Sequence, residues 1–147
     1  MNMTMLKKQK SIFLSDKIAF CIVGKRILQN ELMASELYQK TGKECFVFKN
    51  IHDISTTGSL SRFVLWDFQE RDVEEIRDEL KIYNIQRKSD HHIVLFNVPG
   101  NLEFQNLFFL KKIHGIFYEH DSLENFIKGI QAVLNGKLWF PREMMIR

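Results

Sequence analysis

Five short apolar runs, most of them separated by a helical pattern, constrain this chain more than any other feature. Lys17-Ile-Ala-Phe-Cys-Ile-Val23 is almost unbroken in its apolar character. A strand covered on one face alternates apolar and polar residues, whereas a continuous run marks a strand covered on both faces. Glu44 to Phe48, Arg62 to Asp67, His92 to Asn97 and Gly115 to Tyr118 are the other four runs. Between the first two, Ile27, Leu28, Leu32, Leu37 and Tyr38 recur at three- and four-residue steps, and Thr41-Gly42 closes the pattern. Residues 50 to 60 hold Thr56-Thr-Gly-Ser59 and read as a short helix or loop. Val73, Ile76, Leu80 and Tyr83 form an apolar stripe on a charged helix. After Val98-Pro-Gly100 breaks the fourth run, residues 102 to 112 read as a helix whose faces are defined by Phe104, Leu107, Phe108 and Lys111. Ser122 caps a last helix that carries Phe126, Ile127, Ile130, Val133 and Leu134 and ends at Gly136.

Strands alternating with helices imply a parallel sheet with right-handed crossovers. The expected architecture is α/β: a doubly wound, flavodoxin-like, five-stranded parallel sheet in the order 2-1-3-4-5. Residues 1–16 are assigned to an N-terminal extension, 17–136 to the domain and 137–147 to the start of a further C-terminal helix. Pro141 suits the first turn of that helix, where its missing N–H costs nothing.

Composition supports one packed domain and excludes several functions. The 147 residues are 45% apolar and include thirteen Phe, ample material for a core. Lys plus Arg is 21 and Asp plus Glu is 18, a net charge of only +3, which does not mark a nucleic-acid surface. Lys7-Lys-Gln-Lys10 reads as a solvated tail. No run approaches the ~18 apolar residues of a membrane span, so the expected location is cytoplasmic. Cys21 and Cys45 fall in expected strands and behave there as small hydrophobes. The five His lack ligand spacing, and His91-His92 point to opposite faces of a strand.

Chemistry concentrates at the end of Arg62-Phe-Val-Leu-Trp-Asp67. A polar residue at the carboxyl end of a strand in an open α/β sheet sits where ligands collect. Asp67 has few companions in the sequence. Val23-Gly24-Lys25 ends the first run without a carboxylate, Asn97 ends the fourth, and Glu119 follows the fifth. Asp67 reads as a residual polar residue at a strand end, with Lys25 as a candidate partner.

Leu65-Trp-Asp67, Gly115-Ile-Phe-Tyr-Glu119 and Asn125 to Arg142, with its Gly136-Lys-Leu-Trp-Phe-Pro-Arg142, resemble the receiver-like domains of LuxR-type biofilm regulators, the VpsT and CsgD family. The resemblance runs from about Lys17 onward and implies a CheY-like receiver fold. It implies a regulatory, non-catalytic domain governing biofilm matrix genes, with the DNA-reading helix-turn-helix in a domain absent from this chain. Asp67 then stands at the phosphoacceptor position. Gly24 and Lys25 replace the acidic pair that holds Mg²⁺, Asn97 replaces the hydroxyl residue, and Glu119 replaces the Lys that meets the phosphoryl group. No Mg²⁺ is expected there, because a lone carboxylate holds that ion poorly and Glu119 repels a phosphoryl group. Trp139, Phe140, Pro141 and Arg142 occupy a family motif that binds cyclic di-GMP. Guanine stacks on Trp and Arg, and an Arg fork matches guanine O6 and N7 or a phosphate. Pro141 departs from the Thr or Ser of that motif and removes two donors. A purely structural role for the four residues is the competing reading. The family also dimerises, which directs attention to Trp139, Met144, Met145 and Ile146, with a C2 homodimer as the default. Two other readings stay open: an Asp67-phosphorylated switch and a stand-alone interaction module.

Overall fold

The computed structural model describes residues 18–54, 61–69, 71–86, 91–100 and 113–141. Five parallel strands, β1 (Ile18–Val23), β2 (Cys45–Phe48), β3 (Ser61–Asp67), β4 (His91–Val98) and β5 (Gly115–Tyr118), form one sheet in the order β2-β1-β3-β4-β5. β1 pairs Val23 with Phe48 on one side and Trp66 on the other, and β3 pairs Asp67 with Phe96. The carboxyl ends of β1, β3 and β4 therefore lie side by side.

Helix α1 (Ile27–Thr41) and helix α3 (Leu123–Leu134) cover one face of the sheet. Ala34, Leu37, Phe126, Ile130 and Val133 pack there on Phe20, Phe63, Val94 and Phe117. Helix α2 (Val73–Gln86) covers the other face with Ile76, Leu80 and Tyr83 against Val64, Trp66, Ile93 and Leu95. A one-turn 3-10 helix (Ile51–Asp53) stands where the sequence left a short helix or loop open. The stripes on α2 and α3 match expectation. Ser122 caps α3 by accepting from the Asn125 N–H at 3.0 Å, and Gly136 just beyond the helix takes a φ of 83°. Gly42 ends α1 at φ 72°. The expected helix over 102–112 lies outside the described residues.

The buried face of α1 corrects the sequence reading. Its inner residues are Asn30, Ala34 and Leu37, while Leu28, Leu32 and Tyr38 are 68%, 65% and 57% exposed. Residues 30, 34, 37 and 41 recur at four-, three- and four-residue steps, so they form one stripe. Ala34 lets the helix lie close to the sheet. An apolar residue at helical spacing is not thereby a buried one.

His91 and His92 face opposite ways, as expected. His91 is buried and touches the Tyr83 hydroxyl, and His92 stacks on Phe63. Cys21 belongs to the core on the α2 side and Cys45 packs on the α1 side, so the sheet lies between the two thiols. Burial pushes both thiols up from the ordinary 9.0 to about 11, with Arg62 partly offsetting the rise at Cys21. The thiolate is the nucleophile. At pH 8 the native protein should therefore react with iodoacetamide about a hundredfold more slowly than the unfolded chain, the ratio expected for a two-unit rise. Because the folded chain holds these protons more tightly than the unfolded one, the fold is most stable below pH 9 and loses stability as the pH climbs from 9 towards 11. Native alkylation at the unfolded rate would contradict this burial.

Candidate functional site

Asp67 is the last residue of β3 and only 4% exposed. Its Oδ1 accepts the Gln69 N–H at 2.9 Å and the Asn97 Nδ2–H at 3.0 Å. The first bond closes an Asx turn that leads the chain out of the strand. The second crosses from β4 and depends on an unusual backbone. Asn97 has φ 58°, in the left-handed region that Asn tolerates better than most side chains. The β4–β5 register shifts between Leu95 and Val98, and Asn97 stands inside that irregularity. An Asn at this point accepts the backbone turn and donates to Asp67.

The candidate pairing with Lys25 does not form. Lys25 is exposed, and the neighbours of Asp67 are Asn97, Gln69 and Gly24. Gly24 leaves no room for a side chain beside the carboxylate. A Cβ added there would stand 2.7 Å from Asp67 Cβ, 3.1 Å from Asp67 Oδ2 and 2.8 Å from Asn30 Nδ2. Asn30 is 1% exposed, and its Nδ2 has no hydrogen-bond partner among the described residues. Arg26, beside it at the N-terminus of α1, donates from Nη1 to Gln69 Oε1. Glu119, just beyond β5, is exposed, and its N–H donates to the Val98 carbonyl at 3.0 Å. Sequence reasoning found Asp67, Gly24, Asn97 and Glu119, and the fold gathers them at one edge. It missed Arg26, Asn30 and Gln69, whose types carry no pattern until the fold brings them together. The donor set does not suit Mg²⁺, which prefers carboxylate and water oxygens. Asp67 brings one carboxylate, Gly24 none and Lys25 a cation. The described residues contain no group of three or more His, Cys, Asp or Glu that could hold a metal.

Trp139, the first residue of the second candidate, lies at the opposite end of the sheet. Trp139 forms a parallel bridge to Gly115, the first residue of β5. Its N–H donates to the His114 carbonyl at 3.0 Å, and its carbonyl accepts the Ile116 N–H at 2.8 Å. The indole stacks on Phe117 at 6.3 Å and 20° and lies against Gly129 of α3. Phe140 packs into the core on the other face, as the next residue of a strand would. Trp139 and Phe140 thus have packing roles, and Pro141 is half-buried beside them. Arg142, Met144, Met145 and Ile146 lie outside the described residues.

Comparison with known proteins agrees with this architecture. A family model described as the VpsT-like receiver domain matches residues 56–142. The chain is 27% identical over 129 residues to the CsgBAC operon transcriptional regulatory protein of Escherichia coli K12, covering 84% of this chain and 56% of that protein. It is 26% identical over 127 residues to a probable csgAB operon transcriptional regulatory protein of Salmonella typhimurium, with the same coverage. The chain thus spans little more than half the length of these curated relatives. The crystal structure of the regulatory domain of the master biofilm regulator CsgD superposes with a TM-score of 0.72 at 23% identity, over 86% of this chain and 95% of that one. A LuxR family DNA-binding response regulator from Silicibacter pomeroyi superposes at 0.59 with 14% identity, over 86% and 98%. At these identities the two structures speak for the fold alone. No helix among the described residues is long and apolar enough to cross a membrane.

Proposed function

This chain belongs to the VpsT-like receiver-domain family, and on that premise we propose that it is the non-catalytic regulatory domain of a LuxR-type transcriptional regulator of biofilm matrix genes. DNA contact is assigned to a separate domain outside this chain. The observation that carries the reading is the state of Asp67. Its Oδ1 already accepts two hydrogen bonds, and the space at Gly24 admits no side chain that could bring a second carboxylate beside Oδ2. A phosphorylated carboxylate needs room, a metal and a cation beyond β5, where this chain has Glu119. Control therefore passes from phosphorylation to association. A ligand shifts an assembly only by preferring one of its states.

The segment from Trp139 onward is the control element in this reading. Trp139 ties it to β5 and α3, Arg142 meets a guanine edge or a phosphate of cyclic di-GMP, and Met144, Met145 and Ile146 enter a C2 homodimer contact. Incubation with acetyl phosphate and Mg²⁺ should leave the intact mass unchanged. An added phosphate that disappears in Asp67→Asn would restore the phosphorylated switch. Titration with cyclic di-GMP should release saturable heat, and Arg142→Ala should weaken binding at least tenfold, roughly the loss of one charge-assisted bidentate contact. No heat at high micromolar nucleotide, with the protein folded, would remove the nucleotide and leave association without it.

A further inference from the structure

A cavity of about 200 Å³ opens at the carboxyl ends of β4 and β5, between Met33 of α1 and the first turn of α3. Its floor is aromatic. Phe126 meets Phe117 edge-on at 4.8 Å and Phe96 edge-on at 5.9 Å, and all three rings are buried. Its rim is acidic. Glu119 and Asp121 line it, and among the described residues no Lys or Arg does. The Asp121 carboxylate accepts the Tyr118 N–H at 2.8 Å through Oδ2. Glu119 has no ion pair among the described residues. Asn97, the residue held at φ 58°, also lines the cavity. A sparsely populated backbone conformation beside a cavity is a recurrent mark of a ligand site.

We propose that this cavity binds a small organic cation: an ammonium or guanidinium group on a short apolar body. The apolar body displaces water from Met33, Tyr118 and Leu123, the apolar lining residues that are not buried. The cation is held by the exposed Glu119 carboxylate at the rim. An anion would meet two carboxylates and, among the described residues, no Lys or Arg. The volume equals about seven waters at roughly 30 Å³ each, which suits a guest of about that many non-hydrogen atoms. The site is independent of the nucleotide reading, because Trp139 stands at the other end of the sheet. It has its own route to the Asp67 edge, since a guest touching Asn97 touches the residue that donates to Asp67.

The test is a charge series on one ring size, followed by amide chemical shifts of the whole chain. Benzylammonium should saturate in the low millimolar range, as small fragments do, and should shift the amides of Asn97, Glu119 and Ser122. It should bind about fivefold more tightly than neutral benzyl alcohol, the gain expected of one rim ion pair, and benzoate should not bind. Added salt should narrow the gap. Glu119→Gln, at an exposed position, should lower benzylammonium to the affinity of the alcohol. Equal affinity for the three probes, shifts centred away from these residues, or benzylammonium binding unchanged in Glu119→Gln would overturn the assignment.

Discussion

Gly24→Asp should destabilise the domain by at least ~3 kcal/mol, a melting point lower by about 10 °C for a chain of this size. The substitution places a carboxylate where the β1 end carries none. A metal-holding receiver has acid at this position, so its return looks like a repair. The geometry argues otherwise. The first added atom, Cβ, would already lie 2.7 Å from Asp67 Cβ and 2.8 Å from Asn30 Nδ2. Neither neighbour can yield cheaply. Asp67 is tied by Gln69 and Asn97, and Asn30 is 1% exposed within α1. Overpacking of this kind costs about 1–3 kcal/mol. The new charge then stands beside Asp67 with no cation between them, and like charges at such range disfavour each other strongly. Gly24→Ala separates the two terms: it should show the packing loss alone, with Gly24→Asp clearly worse. Mg²⁺ should not raise the melting point of Gly24→Asp. A rise that grows with Mg²⁺ would mean that metal binding stabilises the folded form and that the site can be rebuilt by one residue.

Much of this arrangement is legible in the sequence, and the failures have particular causes. The five strands are readable because runs such as Phe63-Val-Leu-Trp66 are apolar without interruption, as the middle of a covered parallel sheet requires. The stripe on α2 is readable because Ile76, Leu80 and Tyr83 are all buried among charged neighbours. On α1 the same rule picks Leu28 and Leu32, which face outward, and misses Asn30 and Ala34, which face inward. Hydrophobic spacing reports which residues could be buried, while the width of the space over the sheet decides which are. The bond from Asn97 to Asp67 joins two strands and depends on a left-handed residue inside a register shift, and neither is visible in a strand pattern. Trp139 was open to a ligand-stacking and a packing reading. The fold adds a pair of glycines, Gly115 and Gly129, that make room for its backbone and its ring. Gly129 did carry a signal. A glycine inside a strongly periodic helix forgoes about 1 kcal/mol relative to Ala and needs a packing reason.

That reason makes Gly129→Ala informative, because two effects oppose each other. Helix propensity favours Ala by up to about 1 kcal/mol. Packing opposes it, since the new Cβ would stand 2.4 and 2.5 Å from Phe117 ring carbons and 2.9 Å from Trp139 Cε2. Phe117 is 1% exposed and wedged against Phe126, so its ring cannot swing aside without opening the α3 interface. The clash belongs at the upper end of overpacking costs, about 3 kcal/mol, and should win by ~2 kcal/mol, or about 6 °C in melting point. Trp139 is the more movable of the two rings, being half-buried near the end of the described chain. It should lift from Phe117, and its emission should shift to the red. The other tryptophan, Trp66, is fully buried on the opposite side of the sheet and should report no change. A Gly129→Ala protein that melts higher than the parent would show propensity outweighing packing and would free Trp139 for a ligand. A protein that melts lower with a red-shifted indole would tie the seating of the terminal segment to the α3–β5 interface, the link through which the proposed association control would act.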